Sequence, residues 1–183
     1  MIWNNPKLIK ILNENGVAVM PTDTLYGIVG KAQDVSVVNR IYTIRKRSPE
    51  KPCIILIGDL SELEKFSITV TDAQKNIIKD FKDPTSFILD CLDQEFAYLH
   101  RGTKTLAFRL PLNQDLKNLL KQTGPLIAPS ANLEGLPPAQ NIGEAKKYFG
   151  DLVDLYIDGG EIAGKASRVI RLNNDGSVEV LRA

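Results

Sequence analysis

The sequence has few of the side chains that many catalytic centres use. Its 183 residues include one histidine, His100, and two cysteines, Cys53 and Cys91. The cysteines lie far apart and show no C-x-x-C spacing, which excludes a disulfide scaffold and a zinc knuckle. A single histidine excludes a multi-histidine metal site, and it leaves a histidine-based triad only one base.

Long apolar runs are also absent. The longest are stretches such as V-A-V-M and I-I-L-I, whereas a membrane-spanning helix needs about 20 apolar residues. The first ten residues, M-I-W-N-N-P-K-L-I-K, lack the basic and then apolar pattern of a signal peptide. We therefore expect a cytoplasmic protein with no membrane partner.

The chain has no excess of charge of one sign. It has 23 Lys and Arg residues against 22 Asp and Glu residues, a formal net charge of +1. General nucleic-acid binders carry a strong basic excess, so this balance disfavours that class. The length and the 43% hydrophobic content predict one domain over residues 1–183 with a substantial core.

Capping residues and apolar spacing predict alternating helices and strands. Helices are expected over residues 6–15, 34–47, 113–121 and 142–149, with two short ones opening near Ser61 and Thr71. Strands are expected over residues 17–20, 53–58, 85–90, 96–99 and 105–110, near Leu155 and Val169, and after an N-N-D-G hairpin turn. Strands that follow one another closely favour antiparallel pairing. The predicted fold is an α/β fold with an open, twisted, mixed parallel and antiparallel sheet and flanking helices.

The common nucleotide-binding motifs, G-x-x-x-x-G-K-[ST] and G-x-G-x-x-G, do not occur, so any nucleotide site must be built differently. The most informative segment is P-T-D-T-L-Y-G, residues 21–27, which opens a loop predicted over residues 21–30 after a buried strand. It brings Thr22, Asp23, Thr24 and Tyr26 to the edge of the sheet, where ligands of open α/β sheets bind. An ordinary capped turn remains an equal alternative.

Two further segments could contact an anion. Residues 45–51, R-K-R-S-P-E-K, place four cations at a helix end, where they could clamp a polyphosphate or simply favour the helix dipole. Residues 128–132, A-P-S-A-N, offer Ser130 and Asn132 after a buried strand. Arg109, inside an apolar strand, either forms an internal ion pair or reaches a cleft.

These segments occur in an order that resembles the YrdC-like family, the threonylcarbamoyl-AMP synthases of tRNA modification. The resemblance rests on P-T-D-T-x-Y-G, the basic run, L-A-F-R-L-P, A-P-S-A-N-x-x-G-x-P-P and a late serine, and it covers residues 8–182. It implies a YrdC-like fold of the short, single-domain form. It also implies that L-threonine, bicarbonate or CO2, and ATP with Mg²⁺ give threonylcarbamoyl-AMP and pyrophosphate.

The resemblance also implies residue roles. The ATP positions fall on Arg45, Arg47, Lys51, Thr105, Ser130, Asn132, Pro138 and Arg182. The threonine positions fall on Thr22, Thr24, Tyr26, Leu56, Arg109, Ala128 and Ser167. Arg45, Arg47 and Lys51 would position the phosphates, and no protein side chain would bind a metal ion.

The chemistry suits such a residue set. Adenylation of a carboxylate needs charge neutralisation and in-line positioning more than an enzyme nucleophile. Asp23 and water both remain open as proton acceptors. Transfer of the product to tRNA would require other tRNA-modification proteins.

The sequence departs from the family pattern at two places. Arg45 replaces the lysine of the K-x-R motif, and F-K-D-P-T-S, residues 81–86, keeps only part of the W-P-G-P-x-T element. Two alternatives therefore stay open: a YrdC-like paralogue with a different substrate, and an RNA-binding module without synthase activity. A synthase that makes weak contact with RNA or tRNA is compatible with the main interpretation.

Overall fold

A computed structural model describes residues 2–183, and its strands form one mixed sheet. The strands are β1 (Ala18–Pro21), β2 (Tyr26–Lys31), β3 (Ile54–Leu56), β4 (Thr85–Asp90), β5 (Thr105–Arg109), β6 (Leu126–Ile127), β7 (Leu155–Tyr156), β8 (Arg168–Leu172) and β9 (Val178–Arg182). Their order is β7-β1-β2-β6-β3-β5-β4-β8-β9. The pairs β1/β7, β3/β5 and β4/β8 are parallel, and the other neighbours are antiparallel. The expected open mixed sheet is confirmed.

The helices begin at side-chain caps. They are α1 (Pro6–Asn13), α2 (Val35–Arg45), α3 (Asp72–Asp80), α4 (Ala97–His100), α5 (Gln114–Thr123) and α6 (Ile142–Phe149). Short 3₁₀ helices span Leu60–Phe66, Gln94–Phe96 and Gly150–Leu152. The N-caps Asn5, Asp34, Asn113 and Asn141 each accept a hydrogen bond from the first turn of their helix. Each bond satisfies a backbone donor that the helix leaves free.

Alternating side chains of the sheet divide the core into two layers. On one face, α1 and α5 bury leucines such as Leu8 and Leu119 against Met20 and Val29. On the other face, α2 and the phenylalanines Phe66, Phe96 and Phe108 pack against residues such as Val19 and Ile28. Helices on both faces leave the strand ends and their loops as the places where a ligand can approach the sheet.

The structure corrects the boundary of the P-T-D-T segment. Residues 26–31 form β2, which pairs antiparallel with β1, whereas the sequence predicted a loop. The connection is therefore a tight turn of a β-hairpin, in which the Thr22 amide donates to the Leu25 carbonyl at 2.9 Å. Because β2 contains Gly27 and Gly30, its strand propensity is low, and burial between β1 and β6 decides its conformation.

A second prediction was wrong. Residues 96–99, F-A-Y-L, were expected to form a strand, but they continue the 3₁₀ helix Gln94–Phe96 into α4. Asp93 starts this helical segment by accepting a hydrogen bond from the Glu95 amide. Phe96 and Leu99 are buried, and their spacing of three places both on one helical face.

Helix ends differ from the prediction by up to two residues. Helix α1 ends at Asn13 and α2 at Arg45. Lys46 adopts a left-handed conformation with φ of 50°, which stops the helix and turns the chain toward Arg47. The predicted hairpin turn before β9 is confirmed, and Gly176 supplies its positive φ of 83°.

Candidate active site

A cavity of about 550 Å³ lies where the P-T-D-T turn meets the ends of β3, β5 and β8. Its walls bring together eleven of the predicted site residues: Thr22, Thr24, Tyr26, Arg47, Thr105, Arg109, Ala128, Ser130, Pro138, Ser167 and Arg182. Arg45, Lys51, Leu56 and Asn132 do not line it. The Leu56 side chain packs in the core against α5.

The sheet itself joins the P-T-D-T segment to the A-P-S-A-N segment. Gly27 and Ser130 form an isolated antiparallel bridge, and the Ala131 amide donates to the Tyr26 carbonyl at 2.8 Å. A side chain at Gly27 would sit 3.1 Å from Thr22 Cγ2, so the glycine permits this close approach. Segments far apart in sequence therefore form one continuous wall of the cavity.

Hydroxyl groups shape the P-T-D-T turn. Thr22 Oγ1 donates to the Leu25 carbonyl at 2.8 Å and lies 3.1 Å from Thr24 Oγ1. The amides of Thr24 and Leu25 point at the same Thr22 oxygen. These bonds fix the turn within itself, so both threonine side chains keep a defined position at the cavity.

Arg109 forms a buried ion pair below this turn. Its Nη2 lies 2.9 Å from Asp23 Oδ1, and the two side chains are only 4% and 6% exposed. Burial lowers the pKa of Arg109, and the Asp23 carboxylate opposes that change. Apart from this ion pair, Arg109 Nε and both Asp23 oxygens have no hydrogen-bond partner within residues 2–183. The pair therefore keeps unused hydrogen-bonding capacity, although only Arg109 of the two lines the cavity.

The same end of the cavity is closed by Ser167 and Arg182. Arg182 donates from Nε and Nη2 to the Ser167 carbonyl at 2.9 and 2.7 Å. The Ser167 hydroxyl lies 2.8 Å from the hydroxyl of Ser86, and both residues are buried. Although the resemblance assigns Arg182 to the nucleotide, its contacts place it beside Ser167 and in the electrostatic field of Arg109.

The opposite end of the cavity has one arginine that faces inward. Arg47 donates to the carbonyls of Lys51 and Pro52 at 3.0 Å each. Neutral carbonyls orient the guanidinium without cancelling its charge. Lys51, by contrast, pairs with Glu134, which also accepts from the Ser48 amide. The Lys51 hydrogen bond and the Ser48 amide hold the pKa of Glu134 below its usual range.

Arg45 is buried behind residues 130–132, here called the S-A-N turn. Its Nε donates to the Asn132 carbonyl at 3.0 Å and its Nη2 to Asn132 Oδ1 at 2.9 Å. Ser130 donates to the same Oδ1 at 2.7 Å. Burial lowers the pKa of Arg45, and the nearby charge of Arg47 lowers it further. Arg45 thus binds the turn that carries Ser130, whereas Arg47 faces the cavity.

Several cavity residues were not found from the sequence. Cys53 and Thr103 line the cavity, and Glu134 joins the basic run to the S-A-N turn. A weak sequence signal could have found Thr103: it lies in G-T-K-T, residues 102–105, a turn-forming segment that leads into β5. Gly102 and Lys104 of this segment have positive φ. Nothing in the sequence marked Cys53 or Glu134. His100 lies outside the cavity lining and accepts a hydrogen bond from the Gly102 amide.

Comparison with known proteins identifies the family of the chain. Residues 10–183 match the model of the Sua5/YciO/YrdC family, which is described as "Telomere recombination". The chain belongs to the Sua5/YciO/YrdC family. A threonylcarbamoyl-AMP synthase from Idiomarina loihiensis is 27% identical, with 92% of each chain covered.

Longer family members match over part of their length. The threonylcarbamoyl-AMP synthase of Bacillus subtilis is 29% identical over 94% of this chain and 52% of its own. The crystal structure of P. abyssi Sua5 complexed with L-threonine superposes with a TM-score of 0.84 at 26% identity, covering 100% of this chain and 54% of that one. This chain therefore spans about half the length of those two relatives.

Within residues 2–183, no group of three or more His, Cys, Asp or Glu side chains could hold a metal ion. No helix in that part of the chain is long and apolar enough to cross a membrane.

Proposed function

We propose that this protein is a threonylcarbamoyl-AMP synthase, which makes L-threonylcarbamoyl-AMP and pyrophosphate from L-threonine, bicarbonate or CO2, and ATP. The observation that carries the proposal is the junction of the P-T-D-T and S-A-N turns around one cavity in a chain of the Sua5/YciO/YrdC family. Relatives with this activity in their names match most of the chain.

The two ends of the cavity suit two substrates. Arg47 faces inward without an acidic partner, as a polyphosphate requires. Arg109, Ser167 and the threonine hydroxyls of the P-T-D-T turn offer cationic and neutral hydrogen-bonding groups at the other end, which fits a small amino acid. We therefore place ATP toward Arg47 and threonine toward Arg109.

The reaction then needs positioning rather than covalent catalysis. The threonine amine attacks the carbon of CO2, loses a proton and becomes an N-carboxy group. An oxygen of that carboxylate attacks the α-phosphorus of ATP, and the bond to pyrophosphate breaks. Arg47 would stabilise the negative charge that develops on the leaving group. Ser130 lies in the wall between the two ends, where the α-phosphate would sit.

Mg²⁺ would enter bound to the phosphates of ATP, since the cavity lining consists of hydroxyls, cations and apolar groups. The ion would add charge neutralisation at the phosphates when it is bound. Transfer of the product to tRNA would require other tRNA-modification proteins, and we expect the reaction to take place in the cytoplasm.

Pyrophosphate release tests the proposal. The wild-type protein is incubated with Mg²⁺ and ATP, with and without L-threonine plus bicarbonate, and with serine or glycine as controls. Release that requires both threonine and bicarbonate is expected. Release with another amino acid would support a paralogue of different specificity, and salt-dependent RNA binding without release would support an RNA-binding module.

A further inference from the structure

Residues 157–167, here called the strap, run between β7 and β8 without regular secondary structure. Near its end the strap supplies Ala166 and Ser167 to the wall of the cavity. Both residues lie on the side of Arg109 and Arg182. The position of the strap therefore decides the shape of this end of the cavity.

The Tyr26 hydroxyl holds the first half of the strap. It accepts a hydrogen bond from the Gly159 amide and donates one to the Gly160 carbonyl, both at 2.8 Å. Tyr26 is fully buried, although both bonds are partly buried because Gly160 is exposed. A Cβ at Gly159 would lie 2.6 Å from Pro21 Cγ, which shows how closely the strap lies on the P-T-D-T hairpin.

The second half of the strap has few attachments. The Ile162 amide donates to the Gln140 carbonyl at 2.8 Å, but within residues 2–183 the amides of residues 163–167 have no hydrogen-bond acceptor. Gly164 lies directly on the turn, because a Cβ there would sit 1.9 Å from the Thr24 carbonyl oxygen. The contact of Gly164 with the P-T-D-T turn, rather than hydrogen bonding by the backbone amides, therefore holds this half of the strap.

We propose that Tyr26 is a positioning residue that holds the strap against the P-T-D-T turn and so builds the amino-acid end of the cavity. This inference rests on the proposed synthase function. Without the hydroxyl, the strap keeps only one hydrogen bond to the hairpin, from the Ile157 amide to the Val19 carbonyl, and the amino acid must order the rest of the strap on binding. A binding-competent state that is populated only in part weakens the apparent affinity by that fraction. The nucleotide end, built from other segments, keeps its shape.

Tyr26→Phe tests the inference with little change in volume. We expect the KM for threonine to rise about tenfold, because two partly buried hydrogen bonds are lost, while the KM for ATP stays within about twofold. Tyr156→Phe is the matched control, since it also removes a bond from a tyrosine hydroxyl to a glycine carbonyl, that of Gly150, outside the cavity. It should leave both constants unchanged.

Hydrogen exchange gives a readout that does not depend on turnover. In Tyr26→Phe without substrates, the Gly159 amide should exchange faster than in the wild type, whereas Tyr156→Phe should leave it unchanged. Gly164→Ala disturbs the second half of the strap, because its methyl group must push the strap off the Thr24 carbonyl. It should reproduce the selective rise in the KM for threonine with Tyr26 intact.

An active Tyr26→Phe protein with an unchanged KM for threonine, or with equal rises in both constants, overturns the role of Tyr26. An unchanged Gly159 exchange rate overturns it as well. If the wild type neither turns over nor binds threonine, the proposed function fails instead, and the exchange rate still shows whether Tyr26 holds the strap.

Discussion

The two ends of the cavity hold their arginines in different ways. At one end, Arg47 is held by two backbone carbonyls and Arg45 by Asn132 and Ser130, with no acidic side chain in an ion pair with either. At the other end, Arg109 is paired with Asp23 in a nearly inaccessible position, and Arg182 is held by the Ser167 carbonyl.

This difference has an electrostatic consequence. Neutral partners orient a guanidinium but leave its charge available, so the Arg47 end suits a polyanion. A paired arginine contributes little net charge but presents a fixed hydrogen-bond donor, which suits a small substrate such as an amino acid. Arg47 and Arg109 therefore differ in how their charges are compensated, and the following predictions test that difference.

Arg47→Ala should give the largest effect. Removing the one arginine that faces the cavity at this end should lower kcat/KM at least a hundredfold, because charge on the leaving pyrophosphate is no longer stabilised. Thermal unfolding should change little, since Arg47 bonds only to nearby carbonyls. Lys46→Asn is the control: it removes a neighbouring exposed charge at a left-handed position that asparagine tolerates. Near-normal turnover by a folded Arg47→Ala protein would remove Arg47 from the phosphate site.

Asp23→Asn should act on stability instead. It leaves the Arg109 charge buried without a counter-charge, which should lower the free energy of unfolding by about 3 kcal/mol. Urea denaturation of Asp23→Asn and Arg47→Ala measures the contrast directly. Equal stability of the two variants would show that the ion pair does not distinguish the two ends.

The fold class and half of the residues that line the cavity could be predicted from the sequence, for a physical reason. Strand ends and capped turns are local features, so Thr22, Arg109 and Ser130 could be assigned to loops and strand ends that meet at the sheet edge. Strand β2 was missed because its glycines carry no local strand preference, and its conformation depends on β1 and β6. Residues 96–99 were misassigned because an aromatic run favours strands locally while packing favours a helix.

Which cations of residues 45–51 have their charge neutralised or their side chain buried could not be predicted, because the partners lie far away along the chain. Four cations in residues 45–51 look equivalent in the sequence. In the structure Arg45 binds Asn132, which lies 87 positions away, and Lys51 binds Glu134, so that Arg47 alone lines the cavity.

Arg45→Lys separates charge from geometry at the nucleotide end. Lysine keeps the charge but cannot reach both the carbonyl and Oδ1 of Asn132 with a planar fork. If Arg45 acts through the S-A-N turn, the KM for ATP should rise about tenfold, and the KM for threonine should stay nearly constant. Steady-state kinetics with each substrate varied in turn will decide. A variant with wild-type constants would instead place the Arg45 charge directly on the phosphates.

Glu134→Gln should give the smallest effect and the opposite sign. Glu134 neutralises Lys51 beside Arg47, and its pKa is already held low, so it stays ionised at neutral pH. The glutamine variant frees the Lys51 charge, which should lower the KM for ATP about twofold at low ionic strength. Added salt should erase the gain, because an exposed charge is screened beyond about 8 Å at physiological ionic strength. A higher KM at every salt concentration would mean that Glu134 serves mainly to hold the Ser48 amide, and that the loop rather than the charge matters there.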